Sequence, residues 1–154
     1  MAQARTQTAV FGKDELIWVT KPGGSTPVLM GCMTNFDEDV PGAEAEELAC
    51  REGISQAPAG DVKPQSLQIE LISRRFPTGQ QAGQVTADEI KKWVKDVAIL
   101  TIQYGGKFVG DPIYTVSGWF SNYQAKNPQK GFRTASVKFN PSATETESTV
   151  TNPT

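Results

Sequence analysis

The chain has no histidine, and its two cysteines, Cys32 and Cys50, stand far apart without C-x-x-C spacing. Those absences remove the serine–histidine hydrolase arrangement, the histidine general acids and bases, and the common zinc ligand sets together. No apolar run approaches the roughly 18 residues of a membrane span, and the opening MAQARTQTAVF lacks the apolar stretch of a secretory signal. A soluble protein made in the cytosol is expected. An excess of positive charge is missing as well: 15 Lys and Arg stand against 17 Asp and Glu, net −2, which gives no whole-chain grip on nucleic acid. Neither GxxxxGK[ST] nor GxGxxG occurs, so Gly79, Gly83, Gly105 and Gly106 read as turn residues. What is present fits one domain: 154 residues, 38% of them hydrophobic, enough for one core but with polar segments left over that need partners elsewhere.

Most of the chain is written in strand grammar. ELIWVT (15–20) is closed by the turn cluster KPGGS, and PVLMGCMTNF (27–36) follows as its expected hairpin partner. SLQIELIS (66–73) alternates, with Leu67, Ile69 and Leu71 on one face and Gln68 and Glu70 on the other. ILTIQY (99–104), IYTVSGWFSNYQ (113–124) and FRTASVKFN (132–140) form an antiparallel meander joined by Gly-rich and Pro-rich turns. The acidic run DEDVPGAEAEELACRE at 37–52 admits a short helix, but Pro41-Gly42 cuts it and no helical apolar face emerges, so a strand around 45–51 is preferred.

One helix stands out, TADEIKKWVKDV at 86–97. Thr86 caps it, Glu89 can reach back to the Thr86 amide, and Ile90, Trp93, Val94 and Val97 recur on one face. That face requires a sheet beneath it, with Lys91, Lys92 and Lys95 on the opposite side. The expected fold is therefore mainly β, a sandwich or barrel of about seven or eight strands with one flanking helix. Residues 1–13 read as an N-terminal arm, 14–141 as the domain, 53–64 (GISQAPAGDVKP) as a long Gly/Pro/Ala loop within it, and the Ser/Thr-rich 142–154 as a tail with almost nothing to bury.

Candidate chemistry is thin. Asp37, Glu38, Asp39, Glu44, Glu46 and Glu47 could gather oxygen ligands for calcium but lack the spacing of a calcium loop; a solvated acidic surface is the plainer reading. The carboxylate pair Asp88 and Glu89 opens a helix, where negative charge meets the helix dipole, rather than facing another acid across a cleft. The two cysteines read as buried thiols; a disulfide between them stays open, because sequence gives no distance. No cofactor and no metal is expected.

The order of these features, a polar arm, GKDELIWVT, a long loop between strands, one capped helix, VSGWFSN in the penultimate long strand, GFRTASVKFN and a Thr/Ser tail, resembles the major tail proteins of long-tailed bacteriophages and gene transfer agents over roughly residues 12–141. The resemblance implies a structural, non-enzymatic virion protein that is made and assembled in the host cytoplasm. Six copies would close into a ring, and rings would stack into a hollow tail tube through which the genome passes without specific binding. Implied partners are further copies of the chain, tail tip or baseplate, tape-measure and tail terminator proteins. Under it, Gln68, Glu70, Glu46 and Glu47 become candidate lumen-facing residues. Val10, Phe11, Ile54, Val62, Lys91, Lys92 and Lys95 become candidate contacts between subunits or rings, with the arm, the loop and the tail ordered only in the assembly. The acidic 37–47 stretch and the short tail depart from the pattern. Two alternatives compete: the inner tube of a contractile injection or type VI secretion system, and a β-sandwich carbohydrate- or receptor-binding module using Tyr114, Trp119 and Tyr123.

Overall fold

Alternation of apolar and polar side chains dictates the architecture. The computed structural model describes residues 3–6, 8–10, 12–31, 33–42, 65–81, 83–143 and 145–151, with the backbone alone at 44–50 and 53–59. Its strands are β1 (Gln3–Ala4), β2 (Glu15–Thr20), β3 (Pro27–Leu29), β4 (Met33–Asp39), β5 (Glu44–Cys50), β6 (Gly53–Ala59), β7 (Ser66–Ile72), β8 (Leu100–Gly106), β9 (Phe108–Val109), β10 (Pro112–Lys126), β11 (Thr134–Pro141) and β12 (Thr146–Thr149), with one α-helix, α1 (Ala87–Asp96). Eight strands form one antiparallel sheet in the order β3-β2-β8-β10-β11-β7-β4, with β12 also paired to β10. This agrees with the expected mainly β fold and single flanking helix.

The outermost strands of that order, β3 and β4, are joined by only residues 30–32. Such a linker spans at most about 15 Å, so the sheet has to curl until its two edges nearly meet. The run 27–36 is thus not one hairpin partner of β2. Its first part pairs with β2, and the rest crosses the gap to pair with β7. The inner face of the curl is the core, where Ile17, Val19, Leu67, Ile69, Leu71, Ile102, Val137 and Phe139 are all buried. Burying each such aliphatic side chain contributes about 1.5–3 kcal/mol. Phe36 of β4 meets Tyr104 of β8 edge to face across the interior, ring centroids 5.7 Å apart.

α1 closes one end of the curl. Ala87, Ile90 and Trp93 are buried, and the Trp93 ring stacks on Phe120 of β10 with centroids 6.3 Å apart. The Thr86 hydroxyl accepts the Glu89 amide at 3.3 Å, as expected of a cap, but the Glu89 carboxylate faces Lys21 at 3.0 Å instead of turning back on the Thr86 amide. Val97 does not belong to the buried face. The helix stops at Asp96, Val97 adopts a left-handed conformation (φ 49°, ψ 47°), and its side chain is 62% exposed. The amides of Val97 and Ala98 bond back to the carbonyls of Val94 and Trp93, the terminating pattern that usually carries glycine at this position.

Three segments expected to lack order of their own are paired within the subunit. The loop 53–64 begins as strand β6, which zips antiparallel onto β5 from Cys50↔Gly53 to Glu44↔Ala59. The tail carries β12, which continues the line of β11 along β10 past a bulge: Pro141 lies opposite Gly118, then Thr146 opposite Thr115. The arm enters a short parallel pairing of β1 with β9. Backbone pairing needs no apolar side chain, which is why composition concealed all three.

Candidate assembly surfaces

Three features of the chain stand out, the first two unfinished by themselves. The first is the seam of the curled sheet. Between β2 and β3 on one side and β4 on the other lies a cavity of about 740 Å³, lined by Leu16, Leu29, Met30, Met33, Phe36 and Glu38 among others. The second is the β5–β6 hairpin, a two-stranded sheet with both outer edges unpaired among the described residues. Isolated two-stranded hairpins are marginal in water and gain stability when a further strand or surface covers them.

The third is the turn that holds both chain ends. The Arg5 guanidinium donates from Nε to Asp111 Oδ1 at 3.0 Å and from Nη2 to Oδ2 at 2.6 Å, while the Phe108 amide donates to the same Oδ2 at 3.2 Å. The Arg5 hydrogen bond, against the opposing effect of burial, holds the Asp111 carboxyl below the usual carboxylate range. Arg5 also lies 4.9 Å over the Phe108 ring, and Lys107 pairs with Asp14 at 2.7 Å. From the other terminus, the Val150 amide donates to the Asp111 carbonyl and the Gly110 amide donates to the Val150 carbonyl, both at 2.9 Å. Gly106 faces this site, and a side chain there would collide with the Asp111 carboxylate.

Beside it, Tyr104 and Gln65 gather two carboxylates. The Tyr104 hydroxyl donates toward Glu38 at 3.0 Å and also contacts Glu145. The Gln65 amide reaches Glu38 at 3.1 Å and Glu145 at 3.0 Å. Burial first, then the Glu145 contact, pushes the Tyr104 hydroxyl far above its ordinary range, so it stays a donor. The tail is therefore pinned by side chains as well as by β12.

Charge sorts along the strand axis. At one end β2 starts on Asp14 and Glu15, β4 finishes on Asp37, Glu38 and Asp39, β10 follows Asp111, and β12 carries Glu147. At the other, β2 runs into Lys21, β7 into Arg74 and Arg75, and β10 into Lys126, with Lys130 and Arg133 in the turn before β11. Contacts gather each end: Glu38 and Glu145 meet at Tyr104, Glu15 and Glu38 line one cleft, and Lys21, Arg75 and Arg133 all meet the start of α1. The start of α1 is tied to the basic end, Asp88 by Arg75 at 2.8 Å and Arg133 at 3.5 Å. With Asp88 and Glu89 so engaged, Lys91, Lys92 and Lys95 stand exposed on the helix, with no ion-pair partner among the described residues.

The remaining predicted residues fall as follows. Gln68 and Glu70 lie on the outer face of β7, opposite in orientation to buried Leu67, Ile69 and Leu71. Val10 is 60% exposed. Glu46, Glu47 and Ile54 are placed only as backbone positions in β5 and β6, and Phe11 and Val62 lie outside the described residues, as does the Cys32 side of any disulfide. Tyr114, Trp119 and Tyr123 do not share one exposed face: Tyr114 packs on Tyr104 at 5.4 Å, Trp119 has the opposite parity on β10, and the Tyr123 hydroxyl is buried. Among the described residues no group of three or more His, Cys, Asp or Glu is placed to hold a metal ion. Sequence reasoning missed Arg5, Asp111, Tyr104 and Gln65. Only Arg5, a cation in a polar arm, offered a local signal.

Comparison with known proteins gives a consistent picture of the fold. No protein family description and no curated protein matches the sequence. Solved structures do. The chain is similar to the SPP1 tail tube subunit, solved by solid-state NMR and cryo-EM, with a TM-score of 0.66 and 9% identity over 94% of this chain and 81% of that one. It is similar to the tail of an empty gene transfer agent particle refined with C6 symmetry, at 0.67 and 12% over 91% of this chain and 99% of that one. A third likeness is to the sheath–tube complex of PVC, an extracellular contractile injection system, at 0.60 and 10% over 94% and 95%. The chain has the tail-tube fold.

Proposed function

We propose that this chain is the tail tube subunit of a long-tailed phage or phage-like particle. Copies close into hexameric rings, rings stack into a hollow conduit, and the genome passes through the lumen into the host cell. The observation that carries the reading is the tail-tube fold extending over nearly the whole chain, combined with a sheet left open at a seam and a hairpin left without a cover. Open strand edges are liabilities in a lone subunit and become bonds in a closed ring.

In this reading Gln68 and Glu70 face the lumen, and the hairpin that carries Glu46 and Glu47 adds to its lining, where a surface without excess basic charge lets a polyanion slide. Val10, Phe11, Ile54 and Val62 contact neighbouring copies. A tail terminator, a tape-measure protein and a tail tip or baseplate are the other partners, and the protein resides in the virion tail. The likeness to the PVC tube supports a second reading, the inner tube of a contractile system. Negative-stain electron microscopy of the concentrated protein tests the class: hollow tubes or six-fold rings are expected, and a persistent monomer under all conditions overturns it. Co-purification of a sheath protein from the producing cell selects the contractile reading.

A further inference from the structure

We propose that rings of this protein stack head to tail through opposite charge, the basic end of one copy meeting the acidic end of the copy above. The proposal rests on the tube reading and names the two surfaces that meet. Two observations carry it. Charge is sorted by strand end along β2, from Glu15 to Lys21, along β10, from the Asp111 end to Lys126, and across β7 and β4, from Arg74 and Arg75 back to Asp39, while β8 carries no charge of its own and β11 only Lys138. A chain of net −2 shows no hint of this in its total. Second, the charges that remain after internal pairing are sorted the same way. The basic end keeps exposed Lys91, Lys92 and Lys95, since Asp88 and Glu89 at the start of the helix are taken by Arg75, Arg133 and Lys21, and exposed Asp96 is the one acid beside them on the helix. At the acidic end, which also bears exposed Lys13, Arg5 and Lys107 are taken by Asp111 and Asp14. That leaves Asp39 and Glu147 exposed and Glu38 and Glu145 converging on Tyr104, none with a cation partner among the described residues.

End-to-end pairing about a two-fold axis would set like charges against each other. Contact between unlike ends is heterologous, repeats without limit and generates a polar filament. Like ends repel, which forbids an inverted ring. Electrostatic complementarity of this kind sets register and orientation more than affinity, while the seam and the hairpin supply area.

Charge reversal tests it. Lys91→Glu with Lys95→Glu reverses part of the basic end, and Asp39→Lys with Glu147→Lys reverses part of the acidic end; all four side chains are exposed. Each double variant is expected to fold by circular dichroism and to form rings by electron microscopy. Tube formation, followed by light scattering, should require at least about tenfold more protein, the effect of a few unfavourable surface pairs repeated at each interface. The chain with all four substitutions should stack again near the wild-type concentration. Wild-type stacking should weaken in about 1 M salt, where the screening length falls to about 3 Å. Double variants that stack normally, a four-substitution chain that folds but does not stack, or double variants that lose rings while wild type keeps them would overturn the proposal, the last by making the contact lateral. A wild-type chain that forms neither rings nor tubes overturns the tube reading itself and this contact with it.

Discussion

Arg5 and Asp111, 106 residues apart in the chain, grip each other through two parallel hydrogen bonds. The same aspartate bonds the C-terminal segment through its main chain, so one residue ties both termini to one turn. The arm is thus fastened in the free subunit, contrary to its polar and aperiodic appearance.

Acid should release that fastening. Asp111 has its carboxyl held below the ordinary range, so its contribution is present above the unfolded value of about 4 and is lost as pH falls through the folded value. At neutral pH, Arg5→Ala should expose residues 3–9 to limited proteolysis while the core keeps its melting temperature within a few degrees. Acidification of the unmodified chain should give the same cleavage pattern. An arm equally resistant in Arg5→Ala would show that β1 alone holds it.

Trp93 is almost fully buried against Phe120. Trp93→Ala should cost roughly 3–5 kcal/mol, through lost burial and the cavity left behind. Thermal unfolding should drop by about 10 °C or more. An unchanged transition would contradict the placement of α1 on the sheet.

Val97 combines a left-handed backbone with a mostly exposed β-branched side chain. Glycine adopts that conformation without the steric cost, and little burial is forfeited. Val97→Gly should stabilise the protein by about 1 kcal/mol, seen as a rise of about 2–4 °C in melting temperature.

Tyr104→Phe keeps the ring against Phe36 and Tyr114 but removes the hydroxyl shared by Glu38 and Glu145. A loss of about 1–3 kcal/mol is expected. Amide exchange should quicken at Thr146–Thr149 more than in β8, since the tail loses its side-chain anchor. Uniform exchange across both strands would place the effect in the core instead.

Removing the hairpin, residues 44–59, should leave a folded subunit that no longer builds tubes. Among the described residues the core is built by the main sheet and α1, and β5 and β6 pair only with each other. Normal circular dichroism with no tubes in the microscope is the expected pair of results. Normal tubes would take the hairpin out of the assembly.

What sequence made legible was whatever repeats locally. The alternation of Leu67, Ile69 and Leu71 fixed the register of β7, and Thr86 with the Ile90 and Trp93 spacing located α1 to within a residue. What it concealed depends on partners far along the chain. Residues 27–36 read as one strand because Met30-Gly31 carries no strong turn signal, yet the chain there leaves one sheet edge for the other. Gly53–Ala59 lacks alternation, and Thr146–Thr149 lacks apolar residues, but a backbone ladder asks for neither. Arg5 could not be paired in advance, because nothing near it in sequence points to residue 111.

The sheet order also governs when this protein can exist at all. β8, β10 and β11 occupy the middle of the sheet, and all three are among the last segments to leave the ribosome. β2 must wait about eighty residues for β8, and β7 about sixty for β11, so most pairing is long-range and folding is slow to begin. While the first half of the chain is emerging, β2 with β3 and β4 with β7 are two fragments with nothing between them. A nascent chain therefore cannot offer a finished edge to a neighbour, and in the proposed assembly recruitment into a ring waits until synthesis of each copy is complete.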